Sequence, residues 1–150
     1  MPTCSAVELV FSFPIRVYWE DTDAGGVVYH AQYLCFLERA RTEWMRSRGV
    51  NQLEVRDRED LAMVAKSMQV EFDRPARLDD LLEARTWLSE RGRASFVLAQ
   101  ELWRGDECLL RASVKVACLH AGAFRPRALP PWLVEAIGAP MEKVDGDASR

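Results

Sequence analysis

The alternation of apolar and polar positions in the middle of the chain predicts one long helix. Between Ala31 and about Arg48, apolar side chains recur at intervals of three and four residues, as they do on one face of a helix. The residues on this face are Tyr33, Leu34, Leu37, Ala40, Trp44 and Met45. Cys35 and Phe36 lie off this face and are also apolar, so we expect the rest of the domain to enclose the first turns on most sides. Gly49 follows where a left-handed residue often ends a helix.

After this helix the pattern changes to a period of two, which predicts β-strands. We expect strands over residues 61–72, 82–90, 95–104 and 109–120. The connections at residues 91–93 and 104–106 are too short for a crossover between parallel strands. They therefore predict antiparallel hairpins and disfavour a parallel α/β sheet.

The segments on either side complete the predicted order of elements. Residues 7–19 are rich in β-branched and aromatic side chains and predict a first strand, with Pro14 at a sheet edge or a bulge. Short helical segments are predicted over residues 51–60 and, after Pro130 and Pro131, over residues 132–137.

One strand, one enclosed helix and a four-strand meander together predict an α+β fold, in which a curved antiparallel sheet cradles the long helix. The length of 150 residues suits a single domain, residues 1–150, with a loose tail at about 141–150. Because such a sheet has unpaired edges, we expect two subunits to pair edge to edge in a homo-oligomer.

Composition and charge narrow the functional classes. The chain is 49% hydrophobic and 29% charged, which is typical of a soluble globular protein. A net charge of -3 provides no general field for attracting nucleic acid, so we expect no nucleic-acid partner. Local basic clusters that hold a small phosphorylated ligand remain compatible with this charge.

The cysteines and the absence of targeting signals indicate a cytoplasmic protein. The four cysteines, Cys4, Cys35, Cys108 and Cys118, form no CxxC pair and have no metal-ligand spacing. Free thiols of this kind are typical of a reducing compartment. We find no leader pattern at the N-terminus and no stretch approaching the roughly 20 apolar residues of a membrane span.

Candidate chemistry lies where the first strand leads into the long helix. Two carboxylates, Asp21 and Asp23, are followed at once by Gly25 and Gly26, which is typical of an ordinary turn. The alternative is a carboxylate held beside a helix N-terminus, where unpaired N–H groups and the helix dipole stabilise a developing oxyanion. Asp23 would then attack a carbonyl or deprotonate water while an amide near Tyr29 or His30 holds the oxyanion. That arrangement suits ester or thioester hydrolysis without a metal.

Two other motifs fit this stretch less well. An EF-hand loop counted from Asp21 would place Gly25 and Gln32 where oxygen-rich ligands belong, so a calcium site is disfavoured. A phosphatase of the DxD type expects a parallel α/β core, which the predicted hairpins contradict.

The stretch resembles the 4-hydroxybenzoyl-CoA thioesterase family of hotdog-fold enzymes, and more closely its branch of acyl-CoA thioesterases associated with the Tol-Pal system. The matching segments, spread over residues 16–130, are RVYWEDTDAGGVVYHAQY, ERARTEW, FDRPARLDDLLEARTWL and PRALP. The resemblance implies a central helix wrapped by a five-strand antiparallel sheet, assembly into dimers or tetramers, and hydrolysis of acyl-CoA to a free acid and CoA. It implies Asp23 as the catalytic carboxylate, the amide of His30 as the oxyanion donor, and no cofactor or metal.

Substrate binding is predicted from the same motif. Gly25 and Gly26 permit close approach of the substrate, and Val28 and Tyr29 belong to the same binding stretch. Trp19 stands where this branch commonly has tyrosine, so the acyl preference is expected to shift. The guanidinium groups of Arg74 and Arg77 are candidates for binding the CoA phosphates, although ordinary surface charge is the alternative for each.

Several residues and one rival function remain open. The ring of His30 is a candidate site group, whereas His120 at a strand end is expected to be structural. Glu38 on the helix needs a partner, which we expect to be Arg41 or a second subunit. The rival function is a non-catalytic acyl-binding or scaffold subunit that serves cell-envelope or lipid-synthesis partners such as acyl carrier protein. The sequence does not distinguish a nucleophilic aspartate from a general base, and it does not define the acyl chain.

Overall fold

The computed structural model describes residues 10–141, which form one antiparallel sheet and three α-helices. The strands are β1 (Phe11–Arg16), β2 (Leu61–Phe72), β3 (Leu81–Arg91), β4 (Ser95–Arg104), β5 (Glu107–His120) and β6 (Arg125–Pro126). The α-helices are α1 (Gln32–Ser47), α2 (Gln52–Glu59) and α3 (Pro131–Ile137). Within this described part, no helix is both long and apolar enough to cross a bilayer.

The predicted five-strand antiparallel sheet is confirmed. Its order is β1-β3-β4-β5-β2, and every neighbouring pair is antiparallel. The two-residue strand β6 adds to β5 and was not predicted, because two residues carry no periodicity. The sheet and the long helix α1 establish the α+β hotdog architecture.

The prediction for the first strand is wrong at its C-terminal end. Strand β1 ends at Arg16, and a 3₁₀ turn covers Trp19–Asp21. The turn forms because the Asp21 carboxylate accepts a hydrogen bond from the N–H of Tyr18. That N–H is therefore not available for pairing with a neighbouring strand. Pro14 lies in the edge strand β1, where a missing N–H is tolerated. Residues 7–9 of the predicted strand lie outside the described residues.

Helix α1 matches its predicted bounds within one residue but is not enclosed on most sides. Phe36, which lies off the predicted face, is fully buried as expected for an enclosed turn, whereas Leu34 on the predicted face is 38% exposed. The exposed face of α1, as we call it below, consists of Leu34, Cys35, Glu38 and Arg39. The sheet covers only the opposite side of the helix in this single chain.

Both short helices are confirmed, each with a recognisable start. The Asn51 side chain accepts the N–H of Glu54 (3.1 Å) at the start of α2, and Pro131 occupies the first turn of α3. The predicted loose tail lies outside the described residues except for Met141, whose N–H donates to the carbonyl of Leu88 (2.9 Å).

Two buried apolar clusters divide the core along α1. One packs around the first half of the helix and includes Phe36, Leu37 and Val28. The other packs around the second half and includes Trp44 and Leu133 of α3. The first cluster supports the loop that carries Asp21 and Asp23, so the candidate site lies at its edge.

Candidate active site

Residues 21–29 form a small hairpin, which we call the aspartate hairpin. The N–H of Tyr29 donates to the carbonyl of Asp21 (2.9 Å), and the N–H of Asp23 donates to the carbonyl of Val27 (2.9 Å). The N–H of Gly26 donates to the carbonyl of Asp23 (3.0 Å), which closes the turn at a φ of +80°. Glycine adopts this left-handed conformation without steric cost. The hairpin therefore leads directly into the start of α1.

The two carboxylates of the motif have different environments. Asp21 is only 2% exposed, and its two oxygens accept the N–H of Tyr18 (2.8 Å) and the side-chain amide of Gln32 (2.8 Å). Asp23 is exposed, and its Oδ1 accepts the N–H of Gly25 (2.8 Å). Its Oδ2 has no hydrogen-bond donor within residues 10–141. Asp21 therefore braces the fold, and Asp23 offers a carboxylate oxygen to a ligand.

Gly25 permits the close contact between its own N–H and Asp23. A Cβ at position 25 would lie 3.1 Å from Asp23 Oδ1, which is tighter than ordinary van der Waals contact. A side chain here would push the carboxylate away from its hydrogen bond. Both interpretations of the motif hold locally, since the aspartate supports its own turn and still presents a free oxygen.

The start of α1 leaves backbone donors unpaired. The N–H of Gln32 donates to the carbonyl of Tyr29 (2.8 Å), and the N–H of Leu34 donates to that of Ala31 (3.1 Å). Within residues 10–141, the N–H groups of His30 and Ala31 have no acceptor. No side chain caps the helix at Ala31. Unpaired amides at the positive end of a helix dipole are suited to bind an oxyanion.

Aromatic side chains surround the hairpin. The rings of Tyr29 and His30 are 4.7 Å apart between centroids, and Tyr29 is 49% exposed. Trp19 is the most exposed of this group at 79%. Val28 differs from the other predicted binding residues, because its side chain is buried in the core and only its backbone borders the site.

The predicted phosphate-binding arginines lie in the connection between β2 and β3, residues 73–80, which we call the arginine loop. Backbone contacts join this loop to the aspartate hairpin, since Val27 bridges Arg77 and the N–H of Val28 donates to the carbonyl of Ala76 (2.9 Å). The exposed Arg77 guanidinium has no ion-pair partner within the described residues, whereas Arg74 lies 3.4 Å from Glu107. The structure thus brings Arg77 beside the hairpin and leaves Arg74 partly engaged elsewhere.

A further arginine, which the sequence reasoning missed, fixes the arginine loop. Arg104 donates to the carboxylates of Asp80 (2.8 Å) and Glu107 (2.8 Å) and to the carbonyl of Pro75 (3.2 Å). The hydrogen bonds to Glu107 and Asp80 raise the pKa of Arg104. The adjacent acidic pair Asp79 and Asp80 after Arg77 was the available sequence signal for such a partner.

The other charged residues that the sequence analysis considered are Glu38, Arg41 and His120, and the contacts of Arg41 and His120 are structural. Arg41 donates to the side-chain oxygen of the buried Gln100 (3.1 Å), and burial lowers its pKa, which the charge of Glu38 opposes. The expected direct ion pair between Glu38 and Arg41 is not formed within the described chain. His120 lies 3.8 Å from Asp60 at the far end of β5.

No metal-binding group is assembled from the described residues. Within residues 10–141, no three His, Cys, Asp or Glu side chains are grouped as metal ligands would be. The aspartate hairpin, the start of α1 and the arginine loop carry one carboxylate oxygen, two amides and one guanidinium that have no partner within residues 10–141, together with exposed aromatic rings. Such a set can bind a polar acyl compound and attack its carbonyl group.

Comparison with known proteins identifies the family of this chain. Residues 25–110 match the family described as the thioesterase superfamily. The chain is 48% identical over 120 residues to "Acyl-CoA thioesterase YbgC" of Haemophilus influenzae, covering 80% of this chain and 88% of that protein.

Two solved structures extend the comparison to the fold. The crystal structure of "Probable Thioesterase" from Bartonella henselae has a TM-score of 0.77 and 38% identity, covering 81% of this chain and 99% of that chain. A mutant of 4-hydroxybenzoyl CoA thioesterase complexed with 4-hydroxybenzoyl CoA has a TM-score of 0.80 at 22% identity, covering 87% and 99% respectively.

Proposed function

Since this chain belongs to the thioesterase superfamily, we propose that it hydrolyses a small or short-chain acyl-CoA to the free acid and CoA, with Asp23 as the reacting carboxylate. The Haemophilus relative carries acyl-CoA in its name, and the 4-hydroxybenzoyl neighbour was crystallised with a CoA thioester. The observation that carries the assignment is the contrast between the two carboxylates. Asp21 is occupied by two donors, while one oxygen of Asp23 has no donor within residues 10–141, in the hairpin that leads into the unpaired amides at the start of α1.

Two chemical routes fit this carboxylate. In one, an Asp23 oxygen attacks the thioester carbonyl carbon, the C–S bond breaks, CoA leaves as a thiolate that takes up a proton, and water then hydrolyses the mixed anhydride. In the other, Asp23 removes a proton from a water molecule whose oxygen attacks the same carbon, the C–S bond breaks, and the leaving CoA thiolate takes up a proton. Both routes place negative charge on the carbonyl oxygen and need no metal.

The amide of His30 is the proposed donor to that oxygen. It has no competing acceptor within residues 10–141, and it lies at the positive end of α1. One well-placed donor of this kind typically contributes about 10²–10³ in rate.

Substrate binding is assigned to the groups around the hairpin. Gly25 and Gly26 leave room beside the carboxylate, while the rings of Trp19 and Tyr29 offer apolar surface to the acyl group. Arg77, assisted by Arg74, is the proposed contact of the CoA phosphates, because its guanidinium is exposed and unpaired in the described chain.

The decisive test is Asp23→Asn, assayed as release of free thiol from short acyl-CoA esters. Asparagine keeps the Oδ1 acceptor for Gly25 but can neither attack nor accept a proton as a carboxylate does, so we expect kcat to fall about 10²–10⁴-fold. The melting temperature should not change. Asp106→Asn, which alters an exposed carboxylate in the turn between β4 and β5, is the matched control and should retain full activity.

The same assay separates the rival function. Unchanged thiol release by Asp23→Asn would contradict the catalytic assignment. A wild-type protein that binds acyl-CoA without turnover would favour an acyl-binding or scaffold subunit.

A further inference from the structure

A buried hydrogen bond joins the start of α1 to the middle of the arginine loop. Tyr33 is 4% exposed, and its hydroxyl oxygen accepts the N–H of Ala76 (2.9 Å), a residue with no exposed surface. The tyrosine ring is held by Phe36 and Phe72, at centroid distances of 6.1 and 5.6 Å. The hydroxyl group therefore has a fixed position at the boundary between helix and loop.

Ala76 is held from its other side by the aspartate hairpin. Its carbonyl accepts the N–H of Val28 (2.9 Å), and the next residue, Arg77, bridges Val27. One residue of the loop thus contacts both the helix that presents the His30 amide and the hairpin that presents Asp23. Movement of Ala76 would shift the neighbouring Arg77 directly.

The ends of the arginine loop have separate anchors. The N–H groups of Asp73 and Arg74 both donate to the carbonyl of Leu109 (2.9 and 3.0 Å). At the other end, the N–H of Asp79 donates to the carbonyl of Val17 (3.0 Å). The loop would consequently remain attached to the sheet without Tyr33, and its middle would lose one of its two contacts at Ala76.

Electrostatics agree with a place for Tyr33 between the two parts of the site. Burial raises the pKa of the Tyr33 phenol, and the negative charges of Asp80 and Asp23 act in the same direction. The hydrogen bond from Ala76 and the charge of Arg104 oppose this shift. The Asp23 carboxylate and the charges near the arginine loop are thus both close enough to affect the pKa of the phenol.

We propose that Tyr33 is a positioning residue, whose hydroxyl aligns Arg77 with the nucleotide phosphates of CoA by holding Ala76. This inference rests on the proposed function for the identity of the ligand. It assigns Tyr33 no contact with the reacting atoms. A phenylalanine would keep the ring packing but leave the buried N–H of Ala76 without an acceptor, so the loop would have to shift to reach water.

The experiment compares two thioesters of the same acyl group, one on CoA and one on N-acetylcysteamine, which lacks the phosphates. For Tyr33→Phe we expect KM for the CoA ester to rise about tenfold, the loss expected when one charge-assisted hydrogen bond is misaligned. Both kcat values and the KM for the short ester should stay near those of the wild type. A purely structural role would instead change both substrates alike.

A double-mutant cycle with Arg77→Ala tests whether Tyr33 acts through that arginine. Arg77→Ala should raise KM for the CoA ester to a similar extent, and the double variant should show no further rise, since both changes remove the same contact. Leu133→Ala would create a cavity in the core cluster around the second half of α1 and is the control for lost stability. It should leave the ratio of the two KM values unchanged. Independent effects of the two substitutions would overturn the proposal.

Calorimetric measurement of the binding of free CoA separates the positioning role of Tyr33 from the role of Asp23 in the reaction. Weaker binding of CoA by Tyr33→Phe and by Arg77→Ala would support the positioning role even if Asp23→Asn retained activity. Unchanged CoA affinity in Tyr33→Phe would overturn the positioning role even if Asp23→Asn were inactive.

Discussion

At the scale of single residues, the site depends on which of two aspartates is buried. The motif places Asp21 and Asp23 two residues apart, and no local pattern says which one faces the core. The difference arises from partners distant in sequence, because Asp21 meets the side chain of Gln32 in α1. The sequence could therefore predict a carboxylate at this loop, but the role of Asp21 as a brace required the folded chain.

Gly25 provides a prediction about the geometry of the reacting carboxylate. In Gly25→Ala, the new Cβ would lie 3.1 Å from Asp23 Oδ1 and displace the carboxylate. We expect kcat to fall by up to about 10-fold, since the carboxylate must shift by a few tenths of an ångström and a misplacement of about 1 Å can cost about 10²-fold. KM should change little, and steady-state kinetics on one acyl-CoA would measure the split.

Gly122 offers a closely matched control for this substitution. Its N–H donates to Asp60 Oδ1 at 2.8 Å, as that of Gly25 does to Asp23, and its added Cβ would lie 3.5 Å from that oxygen. Gly122→Ala should leave kcat unchanged because it lies at the far end of β5. Equal kcat values for Gly25→Ala and wild type would argue against a role for the position of Asp23.

At the scale of elements, the spacing of apolar residues predicted the regular helix and strands. It missed the features that depend on single contacts. The bounds of α1 and the order of the hairpins follow from apolar spacing, which reports local geometry. The 3₁₀ turn at Trp19–Asp21 depends on one side-chain bond to the N–H of Tyr18, which no periodicity records. The exposure of Leu34 depends on where the sheet ends, which is a property of the whole fold.

Asp21 provides the prediction for these elements, because it ties the 3₁₀ turn to α1. Asp21→Ala would remove the buried carboxylate that accepts the N–H of Tyr18 and the side-chain amide of Gln32. We expect the free energy of unfolding to fall by about 1–3 kcal/mol, the usual contribution of hydrogen bonds to a charged group. Urea denaturation followed by circular dichroism would measure this change.

Asp23→Asn is the natural comparison for that measurement. It changes an exposed carboxylate and preserves the Oδ1 acceptor, so its unfolding curve should superimpose on that of the wild type. If the two variants were equally stable, Asp21 would not act as a brace.

At the scale of the whole molecule, two surfaces without a partner among residues 10–141 favour the homo-oligomer that we expect from the sequence. Strand β2 is an edge of the sheet and pairs only with β5 within the described chain. The exposed face of α1 places Leu34, at 38% exposure, one turn after His30. An exposed edge strand can pair with a second copy, and a helix face that combines Leu34 and Cys35 with the opposite charges of Glu38 and Arg39 can contact one.

Coverage of the exposed face of α1 by a second copy would also exclude water from the start of the helix, where the oxyanion is proposed to bind. Leu34→Glu should therefore separate the assembly, with sedimentation giving the 17.1 kDa mass of one chain, and should reduce thiol release. Leu53→Glu changes a more exposed leucine on α2, 60% exposed against 38% for Leu34, and should preserve both assembly and activity. A wild-type protein that is fully active as a monomer would contradict the proposed assembly, because the aspartate hairpin and the start of α1 would then suffice for catalysis while open to solvent.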